Sequence, residues 1–186
     1  MAQKGQGRSN RGKALKNSGK ALDQNKFQEL ALRYVSRYAT TRHKLTAYLQ
    51  RKLGERGWAG EEPVEIEQMV ERFAELGYVD DALFAKNRAI ALSSRGYGKR
   101  RVKQALYQAG IREGDDTEAL DISDQQKWET ARSFARKKSI GPFASEQQDR
   151  EKCQKQLQAF MRAGHGYDIA SRFVFAKPGE EVDESL

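Results

Sequence analysis

Apolar side chains recur at steps of three and four along most of this chain, and glycines punctuate the runs. Phe27, Leu30, Ala31, Tyr34 and Tyr38 share one face of a first predicted helix. Thr40 and Thr41 offer an N-cap to a second helix, with Leu45, Tyr48, Leu49 and Leu53 inward and Gly57 at its end; Trp58 follows as an apolar plug. Pro63 suits the first turn of a third helix running to Leu76, with Ile66, Met69, Val70 and Phe73 on its inner face. Gly77 closes that helix, because a residue just past a helix end often needs φ > 0. Asp80 then caps the next helix and Asp81 adds negative charge at its positive end, with Val79 and Phe84 at the positions of a hydrophobic staple. A cap explains both aspartates without acid/base chemistry.

Further on, a helix through Phe84 to about residue 94 breaks at Arg95-Gly96-Tyr97-Gly98, and a basic helix with Val102, Ala105 and Leu106 inward ends at Gly110-Ile111. A short helix is expected around residues 117–120. Trp128, Ala131, Phe134 and Ala135 mark another helix, stopped by Gly141-Pro142. A long one is expected over residues 146–163, and a last one carries Tyr167, Ile169, Ala170, Phe173 and Val174. Gly57, Gly110 and Gly164 lie 53 and 54 residues apart, each preceded at four residues by a large apolar side chain, and Phe84-Ala85 has a counterpart 50 residues on at Phe134-Ala135. These overlays predict an all-α chain of tandem helical repeats over 27–79, 80–125 and 126–177, between an arm at 1–26 and a tail at 178–186, both expected to be disordered.

Composition sharpens this picture at few points. With 38% hydrophobic and 32% charged residues, the chain suits thin helical layers, and it lacks the β-branched alternation of a sheet. A single cysteine, Cys153, allows no internal disulfide or cysteine-based metal cluster and suits a cytoplasmic setting. No run approaches membrane-spanning length. The formal charge of +8 is uneven, at +6 over residues 1–26 and −4 over residues 178–186, so a basic body and arm suit a polyanionic partner. Candidates for the binding face are Arg33, Arg37, Arg42, Lys44, Arg51, Lys52, Arg88, Arg95, Lys99, Arg100, Arg101 and Lys103. Taken singly, each is ordinary helix surface, but Lys99 to Lys103 places four charges in five residues. His43 and His165 are far apart in sequence, and no nucleophile motif, phosphate-cradling loop or metal-ligand spacing occurs, so no enzyme, cofactor or metal is expected.

One stretch is specific enough to name a family. Phe73-Ala74-Glu75-Leu76-Gly77-Tyr78-Val79-Asp80-Asp81 followed by Phe84-Ala85, with Gly96-Tyr97-Gly98-Lys99-Arg100-Arg101-Val102 and Gly110-Ile111, resembles the RecX family of bacterial regulatory proteins. The third unit departs from the family's basic stretch, glycine and aromatic, reading Arg162-Ala163-Gly164-His165-Gly166-Tyr167. The resemblance implies three tandem three-helix repeats in an elongated, curved array. It also implies a monomer that binds the RecA recombinase filament and inhibits its ATPase, strand exchange and co-protease activities; some members bind DNA directly, which leaves single- and double-stranded DNA as further partners. A helical nucleic-acid-binding module that needs no protein partner is the rival reading.

Overall fold

The computed structural model describes residues 20–185. Nine α-helices are found there: α1 (Gln24–Arg37), α2 (Arg42–Arg56), α3 (Ile66–Glu75), α4 (Asp81–Ser93), α5 (Lys99–Gln108), α6 (Thr117–Gln125), α7 (Lys127–Lys138), α8 (Arg150–Ala163) and α9 (Tyr167–Phe175). A single 3-10 turn, Gly141–Phe143, separates α7 from α8. Among the described residues the only extended pairing is an isolated bridge between Leu22 and Trp58.

Burial divides the helices into threes. Phe27, Ala31, Leu45, Leu49, Ile66, Val70 and Phe73 from α1 to α3 make one core with Leu22 and Val79. Ala85, Ala89, Leu92, Val102, Leu106 and Ala119 from α4 to α6 make a second. Ala131, Ala135, Cys153, Phe160, Ile169 and Phe173 from α7 to α9, with Ile140, make a third. The chain is therefore all-α, built as three consecutive three-helix units, each closing its own apolar faces.

The corner between the first two units follows its residues closely. The Gly77 N–H donates to Ala74 O and the Tyr78 N–H to Phe73 O, both at 2.9 Å, which satisfies the last carbonyls of α3 while Gly77 sits at φ 76°. Tyr78 leans on the Phe73 ring, with centroids 5.5 Å apart. The Asp80 carboxylate accepts from the Leu83 N–H at 2.8 Å and caps α4 as its position predicts. Asp81 does something else, and its partner lies in the preceding unit.

Several sequence expectations need correction. Residues 1–19 of the expected disordered arm lie outside the described residues, but 20–26 belong to the first unit. Leu22 is fully buried, its backbone exchanges hydrogen bonds with Gly57 O and the Ala59 N–H, and Asp23 caps α1. The acidic tail touches the third unit as far as Glu184: Val182 packs on the third core, Arg172 pairs with Asp183 at 3.2 Å, and Arg132 pairs with Glu184. Pro63 stands before α3 and outside its first turn, since Ile66 opens the helix. The helix expected from residue 146 starts only at Arg150, where the Asp149 carboxylate accepts from the Lys152 N–H at 2.7 Å.

Candidate nucleic-acid and partner interface

The second helix of each unit starts where the second helix of the next unit ends, so the two internal joints repeat one geometry. At the first joint, the Thr41 hydroxyl donates to Ala109 O at 2.7 Å while the Thr41 oxygen accepts from the Lys44 N–H, linking the start of α2 to the end of α5. At the second, the Gly98 N–H donates to Ala163 O at 3.0 Å and the Arg100 N–H to Gly164 O at 3.1 Å, so the free amides of α5 continue on the free carbonyls of α8. Gly110 and Gly164 are the contact points. A Cβ on Gly110 would overlap the His43 side chain, and one on Gly164 would overlap the Arg101 backbone nitrogen. At Gly57, the first of the three glycines, an added Cβ would meet nothing within 4 Å among the described residues.

This geometry reassigns several candidate cations. Lys99, Arg100 and Arg101 occupy the first turn of α5, where that helix's own dipole opposes positive charge, but the turn sits on the carbonyl end of α8, which favours it. Lys99 also reaches Asp124 at 3.4 Å, and Arg101 donates to Gln104 at 2.8 Å. Arg100 and Lys103 are exposed and make no ion pair among the described residues. Arg42 is committed to the first joint. Its N–H donates to Asp81 Oδ1 at 2.9 Å, and its guanidinium pairs with Asp81 Oδ2 at 3.6 Å and Glu71 at 3.3 Å. Asp81 is 2% exposed, so its charge serves Arg42 and the start of α2 as well as its own helix. The Arg95 carbonyl accepts from Lys137 at 3.0 Å, across the second joint.

At that same joint His165 is buried between the Phe134 and Phe160 rings. Its Nε2 lies 3.0 Å from Gly96 O, so the ring nitrogen facing that carbonyl carries the proton and donates. Burial pulls the imidazole below its ordinary value, against a smaller opposing effect of the Gly96 bond.

Five of the candidate cations converge elsewhere. Arg33, Arg37, Lys44, Arg51 and Lys52 line an open cleft of about 790 Å³ between α1 and α2, together with Tyr34, Tyr38, His43, Ala47, Tyr48 and, from α5, Gln108. No carboxylate lines it. Arg51 and Lys52 share Glu55 at the far end, at 2.5 and 2.7 Å, whereas Arg33 and Arg37 make no ion pair among the described residues. Lys44 Nζ lies 4.4 Å from the centre of the Phe84 ring, and burial followed by the neighbouring Arg88 charge pulls its ammonium below its ordinary value. Periodicity assigns Tyr34, Tyr38 and Tyr48 to the inward faces. The structure packs Tyr34 and Tyr48, half-buried, against the first core while they also wall the cleft, and it leaves Tyr38 half-exposed. The available signal was the interleaving of arginine with tyrosine at helical spacing.

Comparison with known proteins fits this architecture. A family model described as RecX, second three-helix domain, matches residues 80–120, which span α4, α5 and the start of α6. The regulatory protein RecX of Thermobifida fusca is 32% identical over 160 residues, covering 83% of this chain and 81% of that protein. The chain belongs to the RecX family. RecX of Myxococcus xanthus is 29% identical over 162 residues, covering 82% of this chain and 86% of its own. The crystal structure of RecX from Lactobacillus salivarius superposes with a TM-score of 0.64 at 22% identity, over 81% of this chain and 93% of that one, and shows the same all-helical fold. Like these relatives by name, the chain is a RecX-family regulatory protein. Among the described residues no helix is long and apolar enough to cross a membrane, and no group of three or more His, Cys, Asp or Glu is placed to hold a metal ion.

Proposed function

We propose that this RecX-family protein binds the RecA–DNA filament and inhibits its recombinase, ATPase and co-protease activities, thereby modulating recombination and the SOS response. It acts as a monomer, in the cytoplasm where the filament forms, by binding and without chemistry of its own. Family membership carries the reading. Supporting it, an array whose units repeat one joint offers binding groups at regular intervals, which suits a partner that is itself periodic. The repeats are taken as residues 20–79, 80–125 and 126–177, the first extended to include Leu22. On this array Arg100 and Lys103 of the second unit, Arg88 beside Lys44, and the cations of the first-unit cleft are the proposed contacts. Arg42 is assigned to the first joint, and Arg95, exposed with only its carbonyl engaged at the second, stays among the proposed contacts.

Co-sedimentation tests the proposal. The chain should pellet with RecA assembled on single-stranded DNA in the presence of a slowly hydrolysed nucleotide, at salt concentrations where it no longer pellets with the DNA alone. Exchanging Arg100 and Lys103 for Ala should reduce that co-sedimentation with helicity retained. Equal pelleting with and without RecA across the salt series would overturn the protein-partner reading in favour of a nucleic-acid module.

A further inference from the structure

Residues 178–186 carry four acids and no base, and their described part lies on the third unit as a bound peptide would. The Gly179 N–H donates to Pro142 O at 3.0 Å, at a turn where Gly179 takes φ 76°. Val182, half-buried, then packs on the third core. Two arginines from different helices meet the next two carboxylates: Arg172 of α9 reaches Asp183 at 3.2 Å, and Arg132 of α7 pairs with Glu184. Arg172 also donates to the Asp183 carbonyl at 2.7 Å, so one guanidinium engages both the backbone and the side chain of the same residue. That guanidinium lies 5.8 Å from the centre of the Trp128 ring. Residues 180–185 form neither helix nor strand, so these few contacts place the segment. An apolar anchor followed by two carboxylates on two arginines is the contact pattern of acidic-motif recognition.

We propose that this face of α7 and α9 is a docking site for an acidic peptide segment of another protein, with an apolar residue directly ahead of two carboxylates, and that Val182-Asp183-Glu184 closes it in cis. The segment is then an autoinhibitory strap, and a partner's acidic segment binds only by displacing it. The closure is built to exchange. All four side chains of the two ion pairs are at least 34% exposed, and such pairs hold weakly in water and weaken further with salt. Tethering supplies what the contacts lack, because a short link keeps the strap beside its site at an effective concentration on the order of millimolar. For a site of about 0.1 mM affinity, a strap at about 1 mM lowers the apparent affinity for a competitor about tenfold. A polyanion without an apolar group would meet Arg132 and Arg172 but leave the place of Val182 unfilled, so the site favours a peptide over bare phosphates. The inference does not rest on the proposed action at the filament.

The test uses the full chain and a fluorescein-labelled peptide with the sequence of residues 178–185, followed by fluorescence anisotropy. The triple variant Val182→Ser, Asp183→Asn, Glu184→Gln opens the strap and should bind the peptide about tenfold more tightly than the parent, whose own strap competes. The milder double variant Asp183→Asn, Glu184→Gln touches only the exposed ion pairs and should show intermediate affinity, weakened by added salt. Adding Arg132→Gln and Arg172→Gln to the triple variant should abolish binding, and a peptide carrying Val182→Ser should bind the triple variant at least tenfold more weakly than the parent peptide. Circular dichroism of each variant confirms the helices, and sedimentation velocity of the parent should show a monomer. Peptide binding to neither open variant, equal binding to the parent and the triple variant, binding that survives loss of both arginines, or a parent that dimerises by exchanging the segment between two copies would each overturn the proposal.

Discussion

Gly77 and Gly164 both end a helix at positive φ, 76° and 95°, yet an added methyl group should cost very different amounts at the two sites. At Gly77 an added Cβ meets nothing within 4 Å, so Gly77→Ala incurs only the left-handed backbone penalty of about 1–2 kcal/mol. At Gly164 the Cβ overlaps the Arg101 backbone nitrogen and crowds the Gly98 carbonyl, neither of which can swing aside like a side chain. The joint must part, and the Gly98-to-Ala163 and Arg100-to-Gly164 hydrogen bonds go with it. Each is worth roughly 1 kcal/mol net, so Gly164→Ala should cost about 3–4 kcal/mol in all. Urea unfolding followed by far-ultraviolet circular dichroism measures the two losses. Amide hydrogen exchange adds the location: the Gly98 and Arg100 amides should exchange faster in Gly164→Ala and at the parent rate in Gly77→Ala. Equal destabilisation by the two substitutions, or unchanged exchange at Gly98 and Arg100, would refute the joint as the reason for a glycine at position 164.

The adjacent aspartates should separate by role: Asp80→Ala should cost about 1 kcal/mol, the value of a lost cap, and Asp81→Ala about 2–3 kcal/mol, because it removes the acceptor of the Arg42 N–H and leaves the guanidinium with Glu71 alone; chemical denaturation compares them. Burial lowers the folded His165 pKa, so the unfolded chain takes up the proton first; the stability that the neutral imidazole contributes is complete above about pH 6.5 and is lost as pH falls from there through the folded value. His165→Phe should remove that part of the pH dependence in denaturation profiles. Leu22→Ala should destabilise the chain by about 2–4 kcal/mol in the same assay, as expected for a fully buried leucine and against a disordered arm that extends to residue 26.

Local pattern reached as far as local physics does. Phe27, Leu45, Val70, Val102, Leu106, Phe160 and Phe173 announce themselves by helical periodicity, and all are core residues. Leu22 does not, being a lone apolar residue in a polar run whose partners lie more than thirty residues away around Gly57 and Trp58. The even spacing of Gly57, Gly110 and Gly164 correctly marks the ends of the three second helices, but spacing cannot show that two of them carry the neighbouring unit. Asp81 reads as a helix-dipole residue because Arg42, its partner, stands 39 positions earlier. Tyr34, Tyr38 and Tyr48 carry the same periodicity as leucines, and only the packing of α1 on α2 shows that their rings wall a cleft lined by cations. The aspartate cap of α8 was legible in principle, since Asp149 immediately precedes the helix.

The measurement that bears most directly on the account is steady-state ATP hydrolysis by RecA on single-stranded DNA, titrated with the purified chain. As a regulator that engages the filament, it should suppress hydrolysis at amounts well below one chain per RecA protomer, and the double variant Arg100→Ala, Lys103→Ala should require more protein for the same effect. Hydrolysis that declines only when the chain is abundant enough to coat the DNA, with the double variant acting like the parent, would contradict filament regulation and leave direct nucleic-acid binding as the activity.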